Sequence, residues 1–253
     1  MSDKPLAVYT AIFGNYDGLI RQPKIPGFEY HCFTDRPIKA HGWQIHMIDP
    51  PCSDPTRSSR RVKILAHEYL TEHSLSIYVD GNYLIVGDIC SLVKQQLTNC
   101  NMAMFDHNAT IVDNRDCVFD EYAAIVAMGK RTGHFKDDPA VMEKQIRRYR
   151  DEGYPTHNGL AFNAVLLRRH NAPDVVKTMN RWWNEIENGS RRDQLSFNYS
   201  AWKESFTYSS IKVDLRDNEW FFMIGIHRPD YGAKMFRYRL RRMLGLRQPK
   251  SRK

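Results

Sequence analysis

The stretch SIYVDGNYLIVGDI, residues 76–89, interrupts an apolar run with an acid, a glycine and an amide. Residues two apart in an extended chain point the same way, so Asp80 and Asn82 can present two oxygens to one point. Gly81 leaves room for a close approach. Two hard oxygens suit Mg²⁺ or Mn²⁺, which keep positions open for phosphate oxygens. A solvated turn is the alternative, but a turn does not need apolar residues on both sides. The pattern predicts a metal-assisted site for a diphosphate.

Polar residues also follow two other predicted strands. LAVYTAIFG ends in Gly14 and is followed by residues 15–17, Asn-Tyr-Asp, while FEYHCFTD ends in Asp35. Ligands of an open α/β sheet collect beyond the carboxyl ends of its strands. We therefore expect these residues to share one pocket with Asp80.

Strand and helix patterns alternate along the chain, which favours an α/β fold with a mainly parallel sheet and helices on both faces. The other predicted strands are WQIHMID, SLSIYVD, NMAMFD, GLAFNAVLLR and, closing the sheet, SSIKVDL and EWFFMIGIH. One helix is predicted from Pro55 to about Leu70. The others are FDEYAAIVAMG, PAVMEKQIRRYRDEG, PDVVKTMNRWWNEIENG and RRDQLSFNYSAWK. With no repeat or low-complexity linker, we expect one domain over residues 1–233 and a tail over 234–253.

The composition is that of an ordinary globular protein: 253 residues, 42% hydrophobic and 26% charged. Five scattered cysteines without a CxxC pair argue against a disulfide framework or a zinc site. The sequence has no run of 18 apolar residues, and its first residues lack the features of a signal peptide. We therefore expect a cytoplasmic protein.

The basic charge is concentrated in the tail. Residues 234–253 hold nine of the 37 basic residues and no acid, so the remaining 28 face 29 acids. This distribution argues against a nucleic-acid partner. Apolar residues recur near helical spacing between arginines, at Phe236, Leu240, Met243 and Leu244. The pattern predicts a basic amphipathic helix on an anionic membrane, peripheral on its inner face. A disordered solubilising tail is the alternative.

Six blocks within residues 7–203 resemble the glycosyltransferase-like domain of the plant mucilage and pollen-turgor proteins and its stand-alone bacterial relatives. They are YTAIFGNYD, FTD, SRRVKILAHEYL, SIYVDGNYLI, FDHNATIVDNRDCVFDE and NGSRRDQLSFNYSAWK. The chain is similar, more distantly, to glycogenin-like and lipopolysaccharide galactosyltransferases. The resemblance implies a GT-A fold, the Rossmann-like fold of nucleotide-diphospho-sugar transferases, in which DGN stands in place of a DxD metal motif.

The same resemblance implies an activity. A Mn²⁺- or Mg²⁺-dependent enzyme would move a sugar from a UDP- or GDP-linked donor to a glycan or lipid-linked glycan acceptor. The pathway would be cell-surface polysaccharide synthesis of the capsule, O-antigen or lipopolysaccharide type. The glycogenin-like similarity points to retention of anomeric configuration. Since DGN is a weakened DxD, a non-catalytic nucleotide-sugar or glycan-binding module is the alternative.

Carried onto this chain, the resemblance implies four sets of site residues. Donor contacts would be Thr10, Ala11, Phe13, Gly14, Tyr16, Asp17, Asp35, Arg61, Lys63 and Lys234. Metal ligands would be Asp80, Asn82 and His227. The catalytic residues, beside the reacting sugar, would be Asp193, Gln194 and Asn158, with Asp193 as the catalytic or sugar-positioning carboxylate. The acceptor or an acidic sugar would meet His107, Arg115, Glu121 and Asn163.

Several of these residues have structural alternatives. Asp193 can be the N-cap of a helix, and Asn163 can be a satisfied interior polar group. Arg115 can form an internal salt bridge with Glu121, and Asp35 can be a turn former. The arginines of the first predicted helix can form a solvated face.

Overall fold

The computed structural model describes residues 5–228 and 230–246, and its centre is a seven-stranded sheet. In chain order its strands are β1 Leu6–Ile12, β2 Phe28–Thr34, β3 Gln44–Met47, β4 Ser76–Val79, β6 Met102–Asp106, β7 Ala161–Arg168 and β8 Ser209–Ile211. Their order in the sheet is β3-β2-β1-β4-β7-β6-β8. Strands β1 to β4 run parallel, as does the β6–β8 pair, while β7 is antiparallel to both of its neighbours. The predicted α/β class with a mainly parallel sheet is confirmed.

A second, two-stranded sheet pairs β5, Tyr83–Ile85, with β9, Phe221–Met223. The expectation that EWFFMIGIH closes the main sheet is therefore wrong. Residues 80–82 turn the chain out of the main sheet after β4, so β5 needs a separate partner. That partner is β9, and Ile224 N donates to Asn82 O at 2.9 Å beside it.

Eight helices cover the sheets within the described residues. They are α1 Pro55–Ile64, α2 Ala66–Tyr69, α3 Ile89–Gln96, α4 Val118–Thr132, α5 Pro139–Asp151, α6 Pro173–Glu187, α7 Phe197–Lys203 and α8 Gly232–Met243. Helix α1 starts as predicted, because the Asp54 carboxylate accepts a hydrogen bond from Thr56 N and Pro55 occupies the first turn. The predicted continuous helix is broken at Leu65, and α3 was not predicted. None of the helices described is long and apolar enough to cross a membrane.

Apolar side chains of β1 alternate between two core layers. Tyr9 and Ala11 pack with residues of α1 and α6, such as Val62 and Trp182. Val8 and Ile12 pack on the other face, with residues of α3 and β5. Both faces of the sheet are thus covered, and the carboxyl ends of its parallel strands remain the open edge for polar residues.

The boundary between domain and tail, placed between residues 233 and 234, stays a prediction. Helix α8 begins at Gly232, and the ring of Tyr238 stacks on Phe222 with centroids 4.8 Å apart. The described part of the tail is therefore a helix in contact with the small sheet. Residues 247–253 lie outside the described residues.

Candidate active site

A cavity of about 590 Å³ lies at the carboxyl ends of β1 and β4. Its lining joins segments that are distant in sequence: the end of β1, the start of α1, the end of β4, the start of β7 and residues 191–194. The predicted site residues that line it are Ala11, Phe13, Gly14, Tyr16, Asp17, Lys63, Asp80, Asn163, Asp193, Gln194 and His227.

Two cations and two carboxylates form a network at the wall of this cavity. Lys63 Nζ lies 2.6 Å from Asp193 Oδ2 and 3.9 Å from Asp80 Oδ1. Arg60 Nε lies 3.2 Å from the same Asp193 oxygen. Helix α1 places both cations on one face, three residues apart, and the Tyr9 hydroxyl donates to Lys63 O at 2.5 Å. Since Asp193 offsets one of the two cations, one positive charge remains beside Asp80.

Burial and charge compete at each member of the network. Burial opposes ionisation of Asp193, but Arg60 and Lys63 outweigh it and hold the pKa of Asp193 well below its usual range. Burial lowers the pKa of Lys63, with Asp193 and Asp80 acting in the opposite sense. Asp193 is therefore a carboxylate fixed between cations. Its side chain forms these ion pairs rather than the predicted alternative, a helix N-cap.

Asp80 is held at the end of β4 by its own neighbours. Its backbone N–H donates to Ala164 O of β7 at 2.9 Å, and the Tyr78 hydroxyl donates to Asp80 Oδ1 at 2.8 Å. The side chain is 18% exposed. Because Tyr78 and Lys63 both contact Oδ1, the other carboxylate oxygen is available to a ligand.

Asp17 orients His227 beside the DGN segment. His227 Nδ1 lies 2.6 Å from Asp17 Oδ2, and the Tyr16 ring lies over the imidazole with centroids 4.7 Å apart. A Cβ on Gly81 would come within 3.0 Å of Asp17 Oδ2, so the glycine allows the loop of Asp17 to approach. With Nδ1 on the carboxylate, Nε2 is the nitrogen of His227 left for a ligand.

Asn82 is tied to the segment that leads to His227. Its Nδ2 donates to Gly225 O at 2.7 Å, while Oδ1 is buried and has no hydrogen-bond partner among the described residues. A buried oxygen without a hydrogen-bond partner can accept a ligand. Asp80, Asn82 and His227 offer the oxygen and nitrogen donors that Mn²⁺ or Mg²⁺ accepts, so these residues fit the expected ion.

Two amide side chains of the cavity wall, Asn163 and Gln194, have polar atoms without a partner among the described residues. Both polar atoms of the Asn163 side chain are buried without a hydrogen bond among the described residues, and so is Nε2 of Gln194. Asn163 is only 4% exposed. The alternative of a satisfied interior polar group does not describe Asn163. Since buried amides are nearly always paired in folded proteins, both side chains are suited to ligand hydroxyls.

Two predicted donor contacts, Asp35 and Thr10, lie outside the cavity lining, and Asp35 holds the loop that follows β1. Asp35 Oδ2 accepts from Gly14 N at 3.0 Å. Gly14 has φ +62°, and a Cβ there would overlap Pro55, so only glycine fits. Thr10 is buried within β1.

Arg61 points away from the cavity. It pairs with Glu68 at 2.7 Å, and its guanidinium lies over the Trp183 ring at 5.5 Å. The adjacent Arg60 lines the cavity instead, because successive helix residues are about 100° apart. The sequence does carry a signal for Arg60, its spacing of three residues from Lys63.

The remaining predicted residues also lie outside the lining, and their roles stay predictions. Asn158 is exposed, and Lys234 of α8 packs against Gly225. His107 is buried and stacks on Phe162 with centroids 5.2 Å apart. Arg115 Nε and Glu121 Oε2 form the 2.7 Å salt bridge considered as the alternative.

Some lining residues were not predicted at all. Residues 134–136, which join α4 to α5, and Arg191 and Arg192 line the cavity. Arg191 pairs with Asp54, the N-cap of α1, at 3.0 Å. The loop at 134–136 carries no sequence signal, because only the packing of α4 and α5 brings it to the strand ends.

The family described as "TOD1/MUCI70, glycosyltransferase-like domain" matches residues 30–221. A "Probable hexosyltransferase MUCI70" of Arabidopsis thaliana is 24% identical over 164 residues, which are 61% of this chain and 26% of that protein. The chain thus spans about a quarter of the length of that relative.

Two solved structures are similar in outline. The apo form of mouse xyloside xylosyltransferase 1 gives a TM-score of 0.46 at 10% identity, covering 85% of this chain and 86% of that one. The apo WbbM bifunctional glycosyltransferase gives 0.47 at 8% identity, covering 82% and 38%. The family match covers most of the chain and confirms the predicted resemblance: the chain belongs to the TOD1/MUCI70 glycosyltransferase-like domain family.

Proposed function

We propose that the chain is a glycosyltransferase that moves a sugar from a nucleotide-diphosphate donor to a glycan acceptor. The observation that carries the proposal is one cavity in which Asp80, the cations Lys63 and Arg60 and the side-chain amide of Asn163, unpaired among the described residues, meet. Family membership and the hexosyltransferase name of the plant relative support it.

Different residues of the cavity would bind different parts of the donor. Lys63 and Arg60 supply positive charge on the diphosphate side, next to Asp80. Asn163 and Gln194 orient sugar hydroxyls through their unpaired amide groups. Tyr16, which is 63% exposed over His227, is placed to stack on the base of the nucleotide.

Mn²⁺ or Mg²⁺ completes this proposal as the cofactor. Asp80, Asn82 and His227 would hold the ion, with Asp17 fixing the ring of His227. When bound, the ion would neutralise charge on the leaving diphosphate.

A panel of UDP- and GDP-linked sugars tests the function. Thermal shift with and without Mn²⁺ should select a donor, and that donor should be hydrolysed slowly without acceptor. Asn163→Leu should weaken donor binding at least tenfold, whereas Gln95→Leu on the exposed face of α3 should not. Binding without any hydrolysis would favour the alternative, a non-catalytic nucleotide-sugar or glycan-binding module.

We propose retention of anomeric configuration. Every carboxylate that the described residues place in the cavity wall has at least one polar or charged partner: Asp17 has His227, Asp54 has Arg191, Asp80 has Tyr78 and Asp193 has Lys63.

An inverting enzyme needs a free carboxylate base whose pKa lies near the working pH. The cations around Asp193 hold its pKa far below that range despite its burial. NMR of the first product should show the anomeric configuration of the donor, and an inverted product would contradict the proposal.

We propose that the acceptor is a cell-surface glycan or lipid-linked glycan and that α8 binds the anionic inner face of a membrane. Phe236 and Met243 are 68% and 77% exposed, with Leu240 between them. The helix holds no acid, and four arginines lie among these residues, at Arg237, Arg239, Arg241 and Arg242. A basic helix with an exposed apolar stripe suits an anionic bilayer surface.

Replacing both Phe236 and Met243 by serine should weaken vesicle binding at least tenfold, because each buries its apolar side chain in the bilayer. Co-sedimentation with anionic and with zwitterionic vesicles measures this. Met128→Ser, which removes an exposed methionine of α4, is the matched control. Equal binding of the double variant and wild type to anionic vesicles would exclude α8 as the membrane contact.

A further inference from the structure

We propose a second metal site, in which Glu29, His31 and His73 bind Zn²⁺ or a similar divalent transition-metal ion. One ligand atom from each of the three residues lies within 4.8 Å of the other two. Glu29 and His31 share a face of β2 because they are two residues apart, and His73 lies in the turn before β4. No residue of this cluster lines the candidate active site.

The cluster and the candidate active site lie at opposite ends of the sheet. Glu29 is near the start of β2, and the five residues to Thr34 span about 17 Å at the usual strand rise. The cavity collects the carboxyl ends of the strands, whereas Glu29 and His73 mark their amino ends. The proposed site is therefore separate from the donor ion.

The separations between the ligand atoms suit a tetrahedral ion. Glu29 Oε2 lies 3.0 Å from His73 Nε2 and 3.6 Å from His31 Nε2. Two ligands at the Zn–N and Zn–O bond lengths are about 3.3 Å apart at a tetrahedral angle. Small shifts of these side chains would accommodate the ion, with a fourth position left for water.

An unpaired imidazole nitrogen is the second observation. His31 is 4% exposed, and its Nε2 is buried without a hydrogen-bond partner among the described residues. A hydrogen bond between Glu29 and His73 would account for the positions of those two side chains. It would leave the burial of the unpaired His31 Nε2 unexplained. A buried nitrogen without a hydrogen-bond partner, 3.6 Å from a carboxylate oxygen, can share a cation with that oxygen.

His46 completes the arrangement from β3. Its Nε2 lies 3.0 Å from His31 Nδ1, and its ring stacks on Phe33 with centroids 4.7 Å apart. A hydrogen bond from His31 Nδ1 to His46 would fix the tautomer of His31 that leaves Nε2 free, as metal-binding histidines commonly require. His46 is thus a positioning residue for the ligand His31.

Access and chemistry agree with this assignment. The Glu29 side chain is 40% exposed, which gives an ion a route from solvent. Nitrogen ligands favour Zn²⁺ and its neighbours over Mg²⁺. The proposed site contains no cysteine. The spacing of the cysteines, which argued against a zinc site, therefore does not bear on this one.

The test is a Zn²⁺ titration of the chelator-stripped Asp80→Ala protein, which removes a ligand of the donor ion. We expect one Zn²⁺ per chain and a rise in Tm of about 5 °C or more at zinc well above its Kd. Glu29→Gln keeps the size of the side chain and should lower the affinity at least tenfold, as should His31→Gln. His46→Phe keeps the stacking on Phe33 but loses the contact with His31 Nδ1 that positions this ligand. We expect it to weaken Zn²⁺ binding about tenfold.

His41→Asn is the matched control, since His41 is outside the cluster and asparagine tolerates its positive φ. Circular dichroism of the metal-free variants should show that each is folded. A stripped protein that binds no Zn²⁺, or Glu29→Gln and His31→Gln variants that bind it unchanged, would overturn the proposal. Zinc lost only in Cys117→Ser would place the ion in the other cluster, Cys117, Asp120 and His157, and would overturn it equally.

Discussion

Asp80→Ala is expected to abolish sugar transfer, with kcat falling about 10³-fold or more. The proposed donor ion supplies several kcal/mol of charge stabilisation, and each 1.4 kcal/mol corresponds to about a factor of ten in rate. Asp80 is the only carboxylate among the three proposed ligands, so its loss removes the negative charge that attracts the cation. Donor binding should also lose its dependence on Mn²⁺.

The fold should survive this substitution. Asp80 is partly exposed, and Lys63 keeps its 2.6 Å contact with Asp193 when Asp80 is removed. We therefore expect Tm to fall by only a few degrees. Asp49→Ala, at an exposed loop position, is the control and should leave both transfer and Tm unchanged. Full activity of the wild type in excess chelator would reject the metal role.

The strand ends could be predicted because they follow from local chemistry. Folding alone seldom requires an acid or a glycine at the end of an apolar strand, and parallel strands bring such residues to one edge of the sheet. This reasoning grouped Gly14, Asp17 and Asp80 correctly around one cavity. The start of α1 was equally predictable, since Asp54 and Pro55 carry a local signal.

Features that depend on tertiary packing were not predictable. The pairing of β5 with β9 joins segments more than 130 residues apart, and both are short apolar runs that fit equally well in the main sheet. The break at Leu65 separates α1 from α2 although the helical spacing continues through it. An alternation of apolar and polar residues also cannot show whether a buried amide such as Asn163 has a partner.

The choice between Arg60 and Arg61 shows a limit of transferring roles by resemblance. Three residues separate Arg60 from Lys63, which places them on one helix face, whereas Arg61 is rotated towards Trp183. A resemblance assigns a role to a block, but helix geometry decides which arginine faces the cavity. The same geometry explains why Lys63 and Arg60 reach one oxygen of Asp193.

Asp193→Leu is expected to lower the free energy of unfolding by about 3–5 kcal/mol and to abolish transfer. Lys63 is 1% exposed and would keep a buried charge without its closest partner, which is the costly outcome of breaking a buried ion pair. A leucine fills the space without supplying charge. At about 2–4 °C per kcal/mol for a chain of this size, Tm should fall by roughly 10 °C.

The double variant Lys63→Met with Asp193→Leu separates stability from function. It removes both charges, so much of the lost stability should return while transfer stays absent. Denaturant unfolding of the wild type, the two single variants and the double variant gives the coupling energy. Stability losses that simply add would show that Lys63 and Asp193 do not interact energetically.

The difference in unfolding free energy between wild type and Asp193→Leu depends on pH through the pKa of Asp193. The folded-state pKa lies below the unfolded value of about 3.9, so the ionised carboxylate stabilises the fold at higher pH. The gap in unfolding free energy between wild type and Asp193→Leu should be constant from pH 5 to 7. It should shrink below about pH 4, as the unfolded chain takes up a proton that folded Asp193 resists. A gap that widens on acidification would show that Asp193 is protonated in the folded protein, and Lys63 would then need a different counter-charge.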